Sequence, residues 1–446
     1  MKIAFIGGGS VQWTPMLVAD MALTPALAGA EVVLHDIDAE ALELLTRASK
    51  QVVLQLNGNL TIHSALDRGE GLRDADFVIL CVSIGGLAAM CYDLDIPARY
   101  GIYQSVGDTV GPGGLARGLR HIPFAVQIAR EMEQLCPNAW LLNLTNPMTT
   151  ICRSVTRATR IRTIGLCHEV DIFRQRHLAP LFNVAKEAIT FEVAGINHLP
   201  IILNFRVNGQ DGYSLLRSWL AEHGVFKFAQ EHIPDISDIF KDRLAVKFSL
   251  FEKLGILFGS GDRHVAEFFS GILTDETNHG DRYGVVLTTI AHREELVRQR
   301  RKRIEGFLDG ASEEFQMSHE QMASVMAALS RGTSGQFIVN VPNIGQIDNL
   351  PREATVECLA HINSLGVHPL SVGTLPHPAY SAVAPHVARQ ELIVEAALTG
   401  KRESALAALT TDPLVRDPET AGPMLDELLV ANEKFMGPEF MGNPAI

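Results

Sequence analysis

An α/β fold of two domains is predicted by three observations. The run Lys2-Ile3-Ala4-Phe5-Ile6 reads as a buried strand and ends on Gly7-Gly8-Gly9-Ser10, ahead of an apolar stripe (Val11, Met16, Leu17, Met21, Leu23) that suits a helix. Further apolar strand-like runs follow at 31–36, 76–83 and 140–144. Near residue 190 the texture changes, and the remainder reads as mostly helical, with apolar periodicity at 244–258, 285–330, 353–365 and 388–409. The expected units are therefore 1–190 and 191–446, and the tail from Gly437 reads as irregular.

Composition bounds the function. With 446 residues, 47% hydrophobic and 20% charged, the chain has ample material for two cored domains. A net charge of −13 excludes the basic footprint of a nucleic-acid surface. The six cysteines show no CxxC pair and no regular framework, which suits a reducing compartment. The N-terminal apolar run is too short for a signal segment, and no apolar stretch reaches the roughly 20 residues that span a bilayer. The sequence thus predicts a cytoplasmic protein with no membrane partner.

Strand, glycine turn, helix is the context that a dinucleotide site requires. Gly7 permits the tight turn, and Gly9, with Ser10 beside it, lets a pyrophosphate approach the helix N-terminus. Gln12 stands where the third glycine of the fingerprint would be. The second strand ends on Asp36, whose carboxylate can bind both ribose hydroxyls and repel a 2′-phosphate, favouring NAD over NADP. Asp38 is a second candidate, and a turn or cap role is the alternative for Asp36. The strand at 76–83 ends on Ser83 before Gly85 and Gly86, small residues against which a nicotinamide can lie.

Residues 100–120 read as a long irregular loop with six glycines and one proline, carrying Gln104, Asp108, Arg117 and Arg120. Such loops are usually functional, although a solvated loop would carry the same charges. Asn146, held extended before Pro147, presents a fixed amide to a sugar hydroxyl or a nicotinamide. The stretch Gly165-Leu166-Cys167-His168-Glu169-Val170 follows a β-like lead-in and sets a thiol, an imidazole and a carboxylate side by side. On a strand Cys167 and Glu169 would share one face and His168 the other. Taken alone, Cys167 also suits a buried core thiol. A later strand ends on His198. Cys167 and His198 together make a half-filled metal site, open to substrate. Their spacing is no motif in itself. Gly259-Ser260-Gly261-Asp262-Arg263-His264 is a polar, glycine-flanked sextet, in which Asp262 is either a functional carboxylate or a helix cap.

These landmarks, in this order, resemble glycoside hydrolase family 4: the glycine turn, Thr145-Asn146-Pro147, Cys167-His168-Glu169-Val170 and Gly195-Ile196-Asn197-His198. The resemblance covers most of the chain. It implies a Rossmann-type NAD-binding domain followed by an α+β domain of the lactate/malate dehydrogenase type. This family departs from two-carboxylate glycoside hydrolysis. The chemistry implied is oxidation at C3 with NAD, C2 deprotonation beside a divalent metal (typically Mn²⁺), loss of the aglycone from C1, addition of water and return of the hydride. By resemblance Cys167 and His198 are metal ligands, Asn146 and Glu169 address substrate, and Asp262 is the C2 base. Asp108 and His168 are the candidate acids.

The residues after the metal Cys vary with substrate in this family. Cys-Asp-Met-Pro or Cys-Asn-Val/Ile-Pro marks phospho-glycosides, and Cys-His marks unphosphorylated sugars. The present stretch, with 101–108 and 261–264, looks most like the α-galacturonidase branch. A uronic acid needs a cation at C6, for which Arg263, Arg117 and Arg120 are candidates. An α-glucuronidase, a neutral-sugar α-galactosidase or α-glucosidase, and a plain NAD-dependent hydroxy-acid dehydrogenase are the alternatives. Family members are commonly homodimers or homotetramers, so a homo-oligomer is expected.

Overall fold

Six parallel strands open the fold: β1 (Lys2–Ile6), β2 (Ala30–His35), β3 (Leu60–Ala65), β4 (Phe77–Leu80), β5 (Trp140–Asn143) and β6 (Arg162–Gly165). They lie in the order β3-β2-β1-β4-β5-β6, the doubly wound arrangement whose direction reverses between β1 and β4. The computed structural model describes residues 1–229, 240–330 and 333–436. The tail from Gly437 lies outside the described residues.

Alternate residues of these strands bury on opposite faces. Ala4, Ile6, Val78, Leu80 and Leu141 pack beneath Leu115, Leu119, Ile122 and Val126 of the helix Gly111–Leu135. Ile3, Phe5, Val32, Leu34, Ile79 and Leu142 pack beneath Leu17, Met21, Leu42 and Val52 of the helices Thr14–Ala22 and Ala39–Gln55. Both faces are covered, which is why the strands read as apolar runs rather than alternating ones. Each fully buried Leu or Ile contributes roughly 1.5–3 kcal/mol.

The sheet continues across residue 190. β7 (Ile189–Ile196), β8 (Leu199–Val207), β9 (Gln210–Asp211), β10 (Leu257–Phe258), β11 (Gly335–Pro342), β12 (Thr355–Asn363) and β13 (Gly366–Pro369) extend it. β11 joins β6 antiparallel through Asn340 opposite Gly165, and the order runs on as β12, β7, β8, β10. The C-terminal helices His377–Thr399, Arg402–Thr410 and Ala421–Asn432 return to the first half, where Val394, Leu409 and Leu425 complete the core against the helix Gly111–Leu135. No described helix is long and apolar enough to cross a membrane.

Two expectations are corrected. Within 353–365, expected to be helical, Thr355–Asn363 form β12; Val356, Cys358, Ala360 and Ile362 bury with period two. The presumed irregular loop 100–120 becomes helical at Gly111. A Cβ at Gly113 would meet Gly107 O at 2.8 Å and one at Gly114 would meet Thr109 C at 2.5 Å, so these glycines serve close packing of the first turn. Leu60–Ala65 is an edge strand with half its residues exposed, so it carries no strong apolar run in the sequence.

Candidate active site

The glycine turn sits at the reversal of strand order. Gly7 has φ +99°, and a Cβ there would lie 1.9 Å from Cys81 O, so no other residue fits. Gly9 N donates to Asp36 Oδ2 at 2.9 Å, while Asp38 N donates to Asp36 Oδ1 at 3.1 Å. Asp38 itself caps the helix Ala39–Gln55 by accepting from Ala41 N, which leaves Asp36 as the carboxylate at the turn. Ser10 Oγ accepts from Trp13 N, and Ser83 Oγ accepts from Arg117 Nη1 at 3.3 Å. The expected cofactor residues thus gather at the C-terminal ends of β1, β2 and β4, where doubly wound sheets take their ligands. The turn is free of side chains and faces a carboxylate, and this fits a dinucleotide.

Beside it opens a cavity of about 530 Å³. Gln12 and Trp13 line it on the glycine-turn side, with Asp108, Asn146, Cys167, His168, Glu169, His198, Asp262, Arg263 and His264 around the rest. One ligand atom each from Asp108, His198 and His264 lies within 4.8 Å of the others, a group able to hold a metal ion. The His198 and His264 rings stack with centroids 3.6 Å apart. His198 adopts φ +66° in the turn between β7 and β8, a conformation that costs a non-glycine residue about 1 kcal/mol or more. The Thr109 hydroxyl donates to Asp108 Oδ1 at 2.6 Å and therefore accepts from His198 Nδ1 at 2.8 Å. That chain puts the proton on Nδ1 and leaves the Nε2 lone pair for an ion. Cys167 lines the same cavity outside this group of three. Its thiol is pushed up by burial, reinforced by Glu357 and Glu169. Of the expected pair only His198 belongs to this group; Asp108 and His264, which the sequence did not mark as ligands, complete it, while Cys167 shares the cavity with them.

Asp108 was a candidate acid, and the structure argues against that role. Its two oxygens accept from Thr109 Oγ1 and from Asn146 Nδ2 (3.1 Å), so both are engaged as acceptors. Burial would raise its pKa, but His264, His198, Arg117 and the Thr109 hydroxyl outweigh that and keep it below the usual carboxylate range. His198 is itself pushed down to about 3 by burial and by His264. It is uncharged at neutral pH, so Arg117 and the two hydrogen bonds are the supports that persist there. Asn146 Oδ1 is buried and unpartnered, an acceptor left open for a hydroxyl.

The stretch at 165–170 departs from the expected strand. β6 ends at Gly165 and a helical turn begins at Glu169, so strand alternation does not apply. Cys167, His168 and Glu169 all face the one cavity. His168 Nδ1 lies 2.5 Å from Glu320 Oε1, and its Nε2 lies 3.8 Å from Glu169 Oε1. Burial would lower this imidazole, but the two carboxylates raise it to about 9. Glu169 Oε2 accepts from Gly261 N at 2.6 Å, tying the stretch to the 259–264 sextet.

Asp262 is buried at the cavity wall and accepts from Val246 N (2.9 Å) and Lys247 N (3.1 Å). It thus closes the N-terminus of the preceding helix Ala245–Leu254, rather than capping its own. Burial and the neighbouring Asp242 raise its carboxyl, with Lys247 opposing.

Glu267, which the sequence reading left without a role, anchors the loop that carries Asp108. Its Oε1 accepts from Val106 N (2.6 Å) and Gly107 N (3.0 Å). Burial pushes it up to about 7 from an ordinary 4.5. The folded chain therefore holds more protons than the unfolded chain between pH 4.5 and 7, and stability falls as pH rises through that window. The loss attributable to this group is on the order of 3 kcal/mol. Glu267→Gln should remove this slope, checked by urea unfolding at pH 5 and pH 8; an identical slope in the variant would refute it.

The arginine candidates separate. Arg120 is fully buried in a two-bond pair with Asp93 (both 2.7 Å) and a bond to Asn432 Oδ1, so it is structural. Arg117 does not line the cavity. It donates to Asn146 O at 2.9 Å and so supports that residue. Arg263 faces the cavity, but its Nη2 is held by Ser105 O and the Thr288 hydroxyl.

A doubly wound sheet whose reversal point opens on imidazoles, a thiol and carboxylates is an enzyme fold of the Rossmann type. The family is settled by the models that match it. Residues 2–181 match family 4 glycosyl hydrolase and residues 193–415 its C-terminal domain, and the chain belongs to this family. It is 34% identical over 446 residues to an α-galacturonidase of Bacillus subtilis (strain 168), covering 96% of this chain and 97% of that one. It is also 34% identical over 456 residues to an α-galacturonidase of Thermoanaerobacterium saccharolyticum, covering 98% and 96%. Among solved structures, a 6-phospho-β-glucosidase of Thermotoga maritima, in a form with manganese, NAD⁺ and glucose-6-phosphate, matches with a TM-score of 0.80 and 25% identity over 98% of this chain and 99% of that one.

Proposed function

We propose that this glycosidase hydrolyses α-D-galacturonides and uses NAD and a divalent cation, with Mn²⁺ the first choice. One observation carries the reading. The metal-ligand group lines a cavity that Gln12 and Trp13, just after the dinucleotide turn, also line, with an open amide oxygen and a buried carboxylate on its wall. When bound, NAD⁺ supplies a hydride acceptor at C3, and the cation supplies Lewis acidity at the sugar oxygens. Cys167 and His198 hold the cation, with His264 and Asp108 adjoining. Asn146 Oδ1 accepts a sugar hydroxyl and fixes the ring. Asp262 takes the C2 proton. His168, set between Glu320 and Glu169, is the donor to the departing oxygen, since Asp108 is committed as an acceptor.

The test is release of free sugar from α-galacturonide, α-glucuronide, α-galactoside and α-glucoside with NAD⁺, Mn²⁺ and a thiol reductant, following NADH absorbance. Cleavage of the α-galacturonide without net NADH is expected. Cleavage of only a neutral glycoside would discard the uronide. Steady NADH accumulation without glycoside cleavage would make the chain a dehydrogenase.

A further inference from the structure

We infer that Arg293 is the residue that recognises the C6 carboxylate of the sugar and so sets uronide over neutral-sugar specificity. This rests on the uronide reading above. Arg293 lines the cavity from the first turns of the helix Ile290–Leu308, where Thr289 caps the helix by accepting from His292 N. Its Nε and Nη2 are buried and have no hydrogen-bond partner, and among the described residues it makes no ion pair. A buried guanidinium without an anion is unfavourable, so a place of this kind suits a charged ligand.

The particular nitrogens matter. Nε and Nη2 form the edge whose two parallel N–H groups match the two oxygens of a carboxylate. The same chain shows that pairing elsewhere: Arg153 Nε and Nη2 reach Oε1 and Oε2 of Glu391 at 2.6 and 3.3 Å. In Arg293 this edge is open. The other arginines weighed for the task offer no open Nε–Nη2 edge into the cavity: Arg120 is paired with Asp93, Arg117 bonds Asn146 and Ser83, and Arg263, whose Nε is open, has its Nη2 held by Ser105 and Thr288. Asp108 and Glu267 act on Arg293 through space without pairing with it. A sugar phosphate carries the same charge class as a uronate, but a planar fork meeting two coplanar oxygens favours the carboxylate.

The experiment compares kcat/KM for α-galacturonide, α-galactoside and a 6-phospho-α-galactoside in the wild type, Arg293→Gln and Arg293→Lys, each with NAD⁺ and Mn²⁺. Arg293→Gln should lower the galacturonide-to-galactoside ratio by about 100-fold or more, mostly through KM. Arg293→Lys, which keeps the charge and loses the fork, should fall between. If Arg293→Gln does not fold, the lysine variant alone must show a lowered ratio. An unchanged ratio in a folded variant overturns the assignment, even where all rates fall together. Preference of the wild type for the 6-phospho substrate overturns the carboxylate as ligand. A wild type that cleaves no uronide defeats the uronide reading itself, which separates that failure from a failure of Arg293.

Discussion

Cys167→Ser is expected to lower glycoside cleavage by at least about 1,000-fold, with no recovery at saturating Mn²⁺. The thiol lines the same cavity as His198, His264 and Asp108, and burial makes its sulfur costly to ionise without a cation beside it. A metal ion would supply that cation; a serine hydroxyl is a far poorer anionic ligand. His198→Ala should produce a loss of the same order, because its Nε2 is the lone pair that the Thr109–Asp108 chain leaves open. The measurement is sugar release against Mn²⁺ concentration, with the metal content of each purified variant. If Cys167→Ser keeps activity within about tenfold of wild type, the thiol is a core residue and the metal assignment at this position is wrong. Oxidation of the wild-type thiol should mimic the substitution and be reversed by reductant.

Asp262→Asn is expected to lower kcat by about 100- to 10,000-fold, the range for loss of a positioned base. The same variant should lose exchange of the substrate's C2 hydrogen in D₂O while still binding the sugar. Asp262 also closes the N-terminus of the helix Ala245–Leu254, so some stability is lost, about 1 kcal/mol for a cap. The melting temperature read beside the rate separates the two effects. Products formed by the wild type in D₂O without deuterium at C2 would defeat the elimination route, and Asp262 would then be a cap alone.

Much of this arrangement was legible in the chain. Gly7, Gly9 and Asp36 could be read because the turn, the close approach and the strand end are each local requirements. Asn146, Cys167, His168, Glu169, His198 and Asp262 stand out in the sequence as reactive groups at element ends, and all six line one cavity. The strand at 355–363 alternates in burial at Val356, Cys358, Ala360 and Ile362, but Leu359 breaks the alternation in the sequence and lets the run pass for a helix. The helix from Gly111 was not legible either. Its glycines count against a helix by propensity, and only the packing of Gly113 and Gly114 onto the 107–109 backbone explains them.

The sequence by itself determined the order of the elements, the dinucleotide turn and the small set of side chains with chemistry to perform. Tertiary structure alone decided their partners. Glu320 comes to His168 across 152 residues, and Glu267 reaches the Asp108 loop across 160. Arg120 and Arg117 are taken by Asp93 and Asn146, while Arg293 arrives in the cavity with its fork unspent. Periodicity and turn chemistry act over a few residues and fix each backbone segment locally. Which charge meets which depends on how the strands are ordered and how the helices return over them, and that is set by burial across the whole sheet.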